Sequence, residues 1–332
     1  MNAESDTAKL KRRQFLARLA KAAGTILAAG GITAVFFDRE GPRPGGSKQI
    51  DIQLPDFSVQ HVGPKMAIVR GAERAATLRI ALKAIGGIEA FVKPGDSVLL
   101  KVNAAFAAPP LLSATTHPDV VSELSKMCLK AGAGSVWVTD NPINDPQSCF
   151  ALTGISDAAR SAGARVVVPG PHHFKPFSLP QGRLIRDWPL LYAPLKNIDK
   201  IIGVAPVKDH HRSGASMVMK NWYGLLGGRR NIFHQDIHNI IKELAMMVRP
   251  TLVVLDGTAT MMTNGPTGGA VSDLKPTETM IVGTDQVAVD AFGASLLGKT
   301  DNELTFIAKA EAEGIGTSDW RSLNPINIAT DS

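Results

Sequence analysis

Short apolar runs rich in Val and Ile recur along this chain and alternate with stretches of helical period. Runs of this kind, apolar on both faces and separated by helices, are the signature of a largely parallel sheet covered on each side. Met66–Arg70, Ser97–Val102, Ser135–Thr139, Arg165–Val168, Lys200–Val204, Thr251–Leu255 and Thr279–Val282 read as strands. Helices are predicted near Thr77–Ala90, from a Thr116 N-cap to Lys130, near Ile155–Ala162, near His234–Val248 and near Gln286–Leu297. The fold class is therefore α/β, with helices on both sheet faces, in one domain or two lobes. Pro169–Pro194 is proline-rich and has no period, which marks it as an insertion or lid-like excursion.

Composition narrows the function classes. The 332 residues are 44% hydrophobic and 20% charged, ordinary for a globular chain. Two cysteines, Cys128 and Cys149, cannot supply a four-cysteine zinc site or a four-cysteine iron–sulfur cluster. Residues 1–34 hold six basic and two acidic side chains, which accounts for four of the six net positive charges. The remaining basic residues are scattered and aromatic residues make up only 5%, so the footprint of a nucleic-acid binder is missing.

The N-terminal charge has a different meaning. Lys11-Arg12-Arg13-Gln14-Phe15-Leu16 precedes an uncharged run, Ala22 to Phe37, that is rich in Ala and Gly. The paired arginines resemble the twin-arginine export signal, with Lys11 where that signal usually has Ser or Thr. The resemblance implies the twin-arginine translocation machinery as a partner and a periplasmic protein, or one anchored in the membrane and facing the periplasm. Sixteen uncharged residues fall short of the ~20 of a comfortable span, so membrane contact is expected only through this segment if it is not cleaved. The domain reading is a signal or anchor over 1–37, a linker over 38–60, the α/β domain over 61–312 and a tail over 313–332.

Polar residues gather just after the apolar runs. Lys101 and Asn103 close one strand, Asp140 follows another, Lys208-Asp209-His210 a third and Asp256-Gly257 a fourth. Ligands of open α/β sheets bind outside the carboxyl ends of strands, so Asn103, Asp140, His210 and Asp256 are expected around one crevice. The segment Lys208 to His238 is the densest in chemistry, with five basic side chains and four of the eight histidines. Lys101, Lys208 and Lys220 suit a carboxylate or phosphate, helped by Asn103, Asn221 and Gly265. A divalent metal would suit His210, His234 and an aspartate, Asp140 or Asp256. His234 and His238 have the spacing of a zinc-protease helix, but Gln235 stands where the general base is needed and cannot take up a proton.

The ordered set Lys101-Val102-Asn103, Thr116-His117-Pro118, Asp140, Lys208-Asp209-His210, Lys220-Asn221 with Gly224, His234, Asp256-Gly257, Asn264-Gly265-Pro266 and Asp285 with Asp290 resembles the family called domain of unknown function 362. That resemblance implies no established reaction. Members often carry an export signal or a ferredoxin-like cluster domain; this chain has the signal pattern and too few cysteines for the cluster. The order His210, Lys220, His234 is also similar to that of the nickel-pincer lactate racemase family, which implies Lys220 as a cofactor anchor and the histidines near a metal. The expectation that follows is an exported protein whose crevice binds a small acidic ligand, with or without a divalent metal. Its catalytic candidates are His210, His234 and Lys220. Proton transfer beside a carboxylate and metal-assisted hydrolysis both fit that set. The competing expectation is a noncatalytic accessory protein for exported redox enzymes.

Overall fold

The computed structural model describes Lys21 and residues 52–300 and 302–330. The segment read as an export signal, apart from Lys21, and most of the linker lie outside the described residues. In chain order the elements are β1 (Met66–Arg70), α1 (Arg74–Ala84), β2 (Ser97–Lys101), α2 (Pro118–Lys130), β3 (Ser135–Thr139), α3 (Pro146–Leu152), α4 (Ile155–Ser161) and β4 (Arg165–Val167). A small hairpin follows, β5 (Phe174–Phe177) and β6 (Trp188–Leu191), then β7 (Lys200–His210), β8 (Gly214–Ser216), α5 (Val218–Asn221) and α6 (Ile237–Met247). The chain continues with β9 (Leu252–Met261), β10 (Leu274–Gly283), α7 (Gln286–Leu296), α8 (Thr305–Ala312) and β11 (Ile326–Ala329).

Nine strands form one sheet in the order β11-β1-β10-β9-β7-β2-β3-β4, with β8 folded onto β7. β9, β7, β2, β3 and β4 are mutually parallel, and β10 runs against its neighbours. Period-two alternation sends successive residues to opposite cores. In β9, Leu252 and Val254 pack with α1, α2 and α4, whereas Val253 and Leu255 pack with α6, α7 and α8. Both faces are thus covered, which is why these strands read as continuous apolar runs.

Four differences from the sequence expectations have physical causes. β7 and β9 extend well past their apolar runs, so Lys208, His210 and Asp256 are strand residues rather than loop residues. The α2 cap is His117, whose Nδ1 accepts the Asp119 N–H at 3.3 Å. Thr116 is drawn into the sheet instead: its hydroxyl accepts the Asn103 N–H and donates to the Val204 carbonyl. The domain limits also widen, because Phe57 is buried against the core and β11 pairs with β1. A division into two lobes is not seen within residues 51–332, which form one compact unit.

The proline-rich excursion is pinned rather than free. Glu243 of α6 is 1% exposed, and its carboxylate accepts the backbone N–H groups of Arg183, Leu184 and Ile185 at 2.7–3.0 Å. Charge-assisted bonds of this kind are the strong ones. Glu243→Ala is expected to destabilise the protein by about 3 kcal/mol and to expose the 183–185 amides to hydrogen exchange, with Glu243→Gln intermediate. Urea unfolding and exchange mass spectrometry read the two effects.

Candidate functional site

The parallel strands change direction of succession between β2 and β7: β3 and β4 are added on one side of β2, β7 and β9 on the other. Such a switch point opens a crevice at the strand carboxyl ends. Here it is bridged by Asn221, whose Nδ2 donates to the carbonyls of Lys101 and Val204, both at 3.1 Å. Lys101, fully buried at the end of β2, pairs with Asp140 at 2.7 Å and donates to Val102 O and to Asn221 O and Oδ1. The other Asp140 oxygen accepts the Ala104 N–H at 2.7 Å. Burial pushes the Lys101 ammonium below its ordinary range, and Asp140 opposes that. Gly224 must be glycine at this point, because a Cβ there would come within 1.7 Å of the Asp140 carboxylate.

The strand extension of β7 builds the next wall. Lys208 and His210 are two apart and share a face. β8 folds back so that Ser216 lies opposite Lys208 and Gly214, at φ +76°, opposite His210. Asp209, on the other face, pairs with Lys299 at 2.9 Å. The short helix α5 then delivers Lys220, and the buried carboxylate of Asp290 caps it by accepting the Val218 and Met219 N–H groups at 2.8 and 3.0 Å.

These walls enclose a cavity of about 220 Å³, lined among others by Asn103, Lys208, His210, Ser216, Lys220 and His234. That is below the ~300–1,000 Å³ of pockets that take drug-sized ligands. Lys208 is 1% exposed, donates to the Ala114 carbonyl and lies 5.2 Å over the Phe106 ring. Lys220 lies 5.2 Å over the Tyr223 ring, and among the described residues its ammonium meets no hydrogen-bond acceptor or carboxylate. Burial pulls both lysines down to about 7, with the Lys220 charge as the next cause for Lys208 and the Arg230 charge for Lys220. Arg230 itself is consumed by four carbonyls, those of Tyr223, Leu226, Asn141 and Pro142.

The two histidines differ in what their Nδ1 atoms meet. His210 Nδ1 accepts the N–H groups of Arg212 and Ser213 at 3.2 and 3.3 Å, so its proton sits on Nε2. Burial, followed by the Lys220 charge, lowers its pKa to about 2, which keeps it neutral. Tyr223 Oη donates to the Arg230 carbonyl at 2.5 Å and so offers only lone pairs to His234 Nδ1, 3.2 Å away; the Asn231 carbonyl also lies 3.2 Å from that nitrogen. Two acceptors put the proton of His234 on Nδ1 and leave the lone pair on Nε2. His210 is therefore a donor and His234 an acceptor, with ring centroids 5.8 Å apart.

Several expected site residues fall elsewhere. Asp256 does not line the cavity and is held by Arg74 at 2.9 Å and by the Thr258 N–H. Lys101 does not line the cavity; its three N–H bonds are spent inside the protein. Gly265 is pressed against β7, where a Cβ would meet the Asp209 carbonyl at 1.9 Å, and its neighbour Pro266 reaches the cavity instead. His238 sits in α6 and stacks on Phe306, while His234 lies in the preceding 3-10 turn, so the pair does not share one α-helical face. Ser216, Tyr223 and Arg230 line the cavity without having been singled out as site residues, since their roles depend on β8 and on the turns after α5.

This donor set does not fit a divalent cation. The lone pair of His210 is taken by backbone N–H groups, Asp140 by Lys101, and Asp256 is absent from the cavity, which leaves His234 beside two lysines. Among the described residues no group of three His, Cys, Asp or Glu side chains is arranged to hold a metal ion. Asp140→Ala, which strands Lys101 as a buried charge, is expected to cost about 3–5 kcal/mol, and Lys101→Met/Asp140→Leu to cost less. Denaturant titration of the variants tests this ordering.

Three comparisons place the chain among known proteins. A thylakoid-associated protein of Synechocystis sp. is 26% identical over 205 residues, which cover 58% of this chain and 61% of that protein. The chain thus matches about three fifths of that relative's length. The lactate racemase apoprotein of Thermoanaerobacterium thermosaccharolyticum is similar in structure at a TM-score of 0.40 and 12% identity, over 74% of this chain and 58% of the racemase chain. Residues 98–295 match the family model described as a domain of unknown function, DUF362. The match takes in the whole crevice from β2 to α7, and the chain belongs to the DUF362 family.

Proposed function

We propose that the cavity at the β2–β7 switch point binds a small organic acid, and that His234 exchanges a proton with the bound molecule. The observation that carries this reading is charge imbalance. Lys208, Lys220 and Arg230 surround the cavity with Lys101 behind them, and the single carboxylate among its lining residues, Asp140, is already paired with Lys101. Buried ammonium groups without a counter-charge are costly, and an anion between Lys208 and Lys220 removes that cost.

Within such a complex each group has one task. The lysines hold the carboxylate, and Asn103 and Ser216 supply polar contacts beside them. His210 donates from Nε2 to an oxygen of the ligand. The Nε2 lone pair of His234 accepts a proton from the carbon or hydroxyl next to the carboxylate, and its pKa, lowered mainly by burial and then by Lys220, keeps it unprotonated and ready. Asp290 and Tyr223 act as positioning residues for Lys220 and His234.

The sign of the pH dependence follows from the lysines. Both have pKa values of about 7 against an ordinary 10.5, so the empty protein gains stability as pH rises from about 7 toward 10.5. An anion favours the protonated forms, so binding takes up protons and weakens as pH rises above about 7. Calorimetric titration with lactate or malate in buffers of different ionisation enthalpy is expected to show this uptake, and Lys220→Met to lower affinity at least tenfold at pH 6. Affinity independent of pH, or unchanged by Lys220→Met, overturns the reading.

The leader of this chain and the thylakoid association named for its relative support work at or across a membrane. Among the described residues no helix is long and apolar enough to cross one. Replacing Arg12 and Arg13 by Lys is expected to hold the protein in the cytoplasm. Cell fractionation of the two forms decides that, and equal export of both would remove the twin-arginine route.

A further inference from the structure

The inner cavity has a neighbouring space. His234 also lines a second, wider chamber of about 710 Å³, together with Trp188, Arg212, Arg229, Asn231, Ile232 and Gln235. Adjacent residues divide between the two spaces: His211 and Arg230 face the inner cavity, Arg212 and Arg229 the outer chamber. The histidine ring is thus a shared partition.

The outer chamber has its own chemistry. Arg212 and Arg229 are exposed, and among the described residues neither guanidinium forms an ion pair or side-chain hydrogen bond. No acidic side chain lines the chamber. Its apolar floor is Trp188, held by its indole N–H on the Gly227 carbonyl at 3.0 Å and packed on Phe233, and Ile232, which is 52% exposed. Two unpaired cations flanking an apolar surface, across His234 from a cationic inner cavity, suit a molecule with acid groups at both ends.

We infer that the natural ligand is an elongated diacid. One carboxylate sits between Lys208 and Lys220, the carbon chain passes His234 and lies on Trp188 and Ile232, and the second acid group meets Arg212 and Arg229. This inference rests on the proposed acid-binding role of the inner cavity and extends it to a class of ligand. It also accounts for the position of His234, which would face the carbons next to the inner carboxylate.

The test uses the full chain and a series of unbranched dicarboxylates from succinate to dodecanedioate, with monocarboxylates of matched length, titrated by calorimetry at pH 6. Above a threshold length the diacids are expected to bind about five- to tenfold more tightly than the matched monocarboxylates, the range for one or two partly exposed ion pairs. Arg212→Ala/Arg229→Ala is expected to abolish that gain, so that long diacids and monoacids bind alike. Circular dichroism and melting of this variant establish that it folds, as the exposed side chains predict. Equal affinity of matched diacids and monoacids in the wild type overturns the inference, and so does a gain that survives the double substitution. In both cases short acids still bind and the inner-cavity reading stands. No binding of any acid by the wild type overturns both.

Discussion

The Lys101–Asp140 pair is the constraint on which the rest of the site depends. It joins the ends of β2 and β3 beside the β2–β7 switch point, with Lys101 fully buried and Asp140 nearly so. A buried ion pair is stable only when its remaining hydrogen-bonding capacity is met. Val102, Asn221 and Ala104 meet it, and in doing so they tie α5 and the loop after β2 to the sheet. Gly224 is required because the Asp140 carboxylate fills the space a side chain would take. The polar layer beneath the cavity is therefore closed on itself, and what faces the cavity is a second layer with charge to spare.

That second layer shows how backbone geometry sets side-chain chemistry. The turn from His210 to Gly214 aims two N–H groups at one ring nitrogen and makes His210 a donor. The 3-10 turn containing His234 aims the Asn231 carbonyl at the other ring, Tyr223 adds its phenol oxygen, and the two make that ring an acceptor. Burial lowers the pKa of both imidazoles and of the two lysines beside them.

Much of the architecture was legible because the relevant physics is local. The apolar runs of β1, β2, β3 and β9 lie where their composition put them, since a strand buried on both faces has little choice of residue. The N-terminal limits of α6 and the extent of β7 were not legible. Lys208, Asp209 and His210 are polar and read as loop, yet the antiparallel return of β8 keeps them extended. Thr116 has the residue type of a cap, but the backbone N–H of Asn103 and the carbonyl of Val204 claim its hydroxyl first.

By itself the sequence determined the fold class, the crowding of basic and imidazole groups between Lys208 and His238, and the family, because residue types and their order suffice for each. Only the tertiary structure decided which of those groups meet. It separated Asp256 from Asp140, since Asp256 lies within β9 and is paired with Arg74 outside the cavity. It turned Lys101 and Asn221 from ligand holders into supports, since their hydrogen bonds are spent on each other, 120 residues apart in the chain, and on neighbouring backbone. It set the two histidine tautomers through backbone groups that no pattern of side chains encodes. Long-range contacts fix such roles because hydrogen-bonding capacity is finite: a group satisfied by a distant strand has nothing left to offer a ligand.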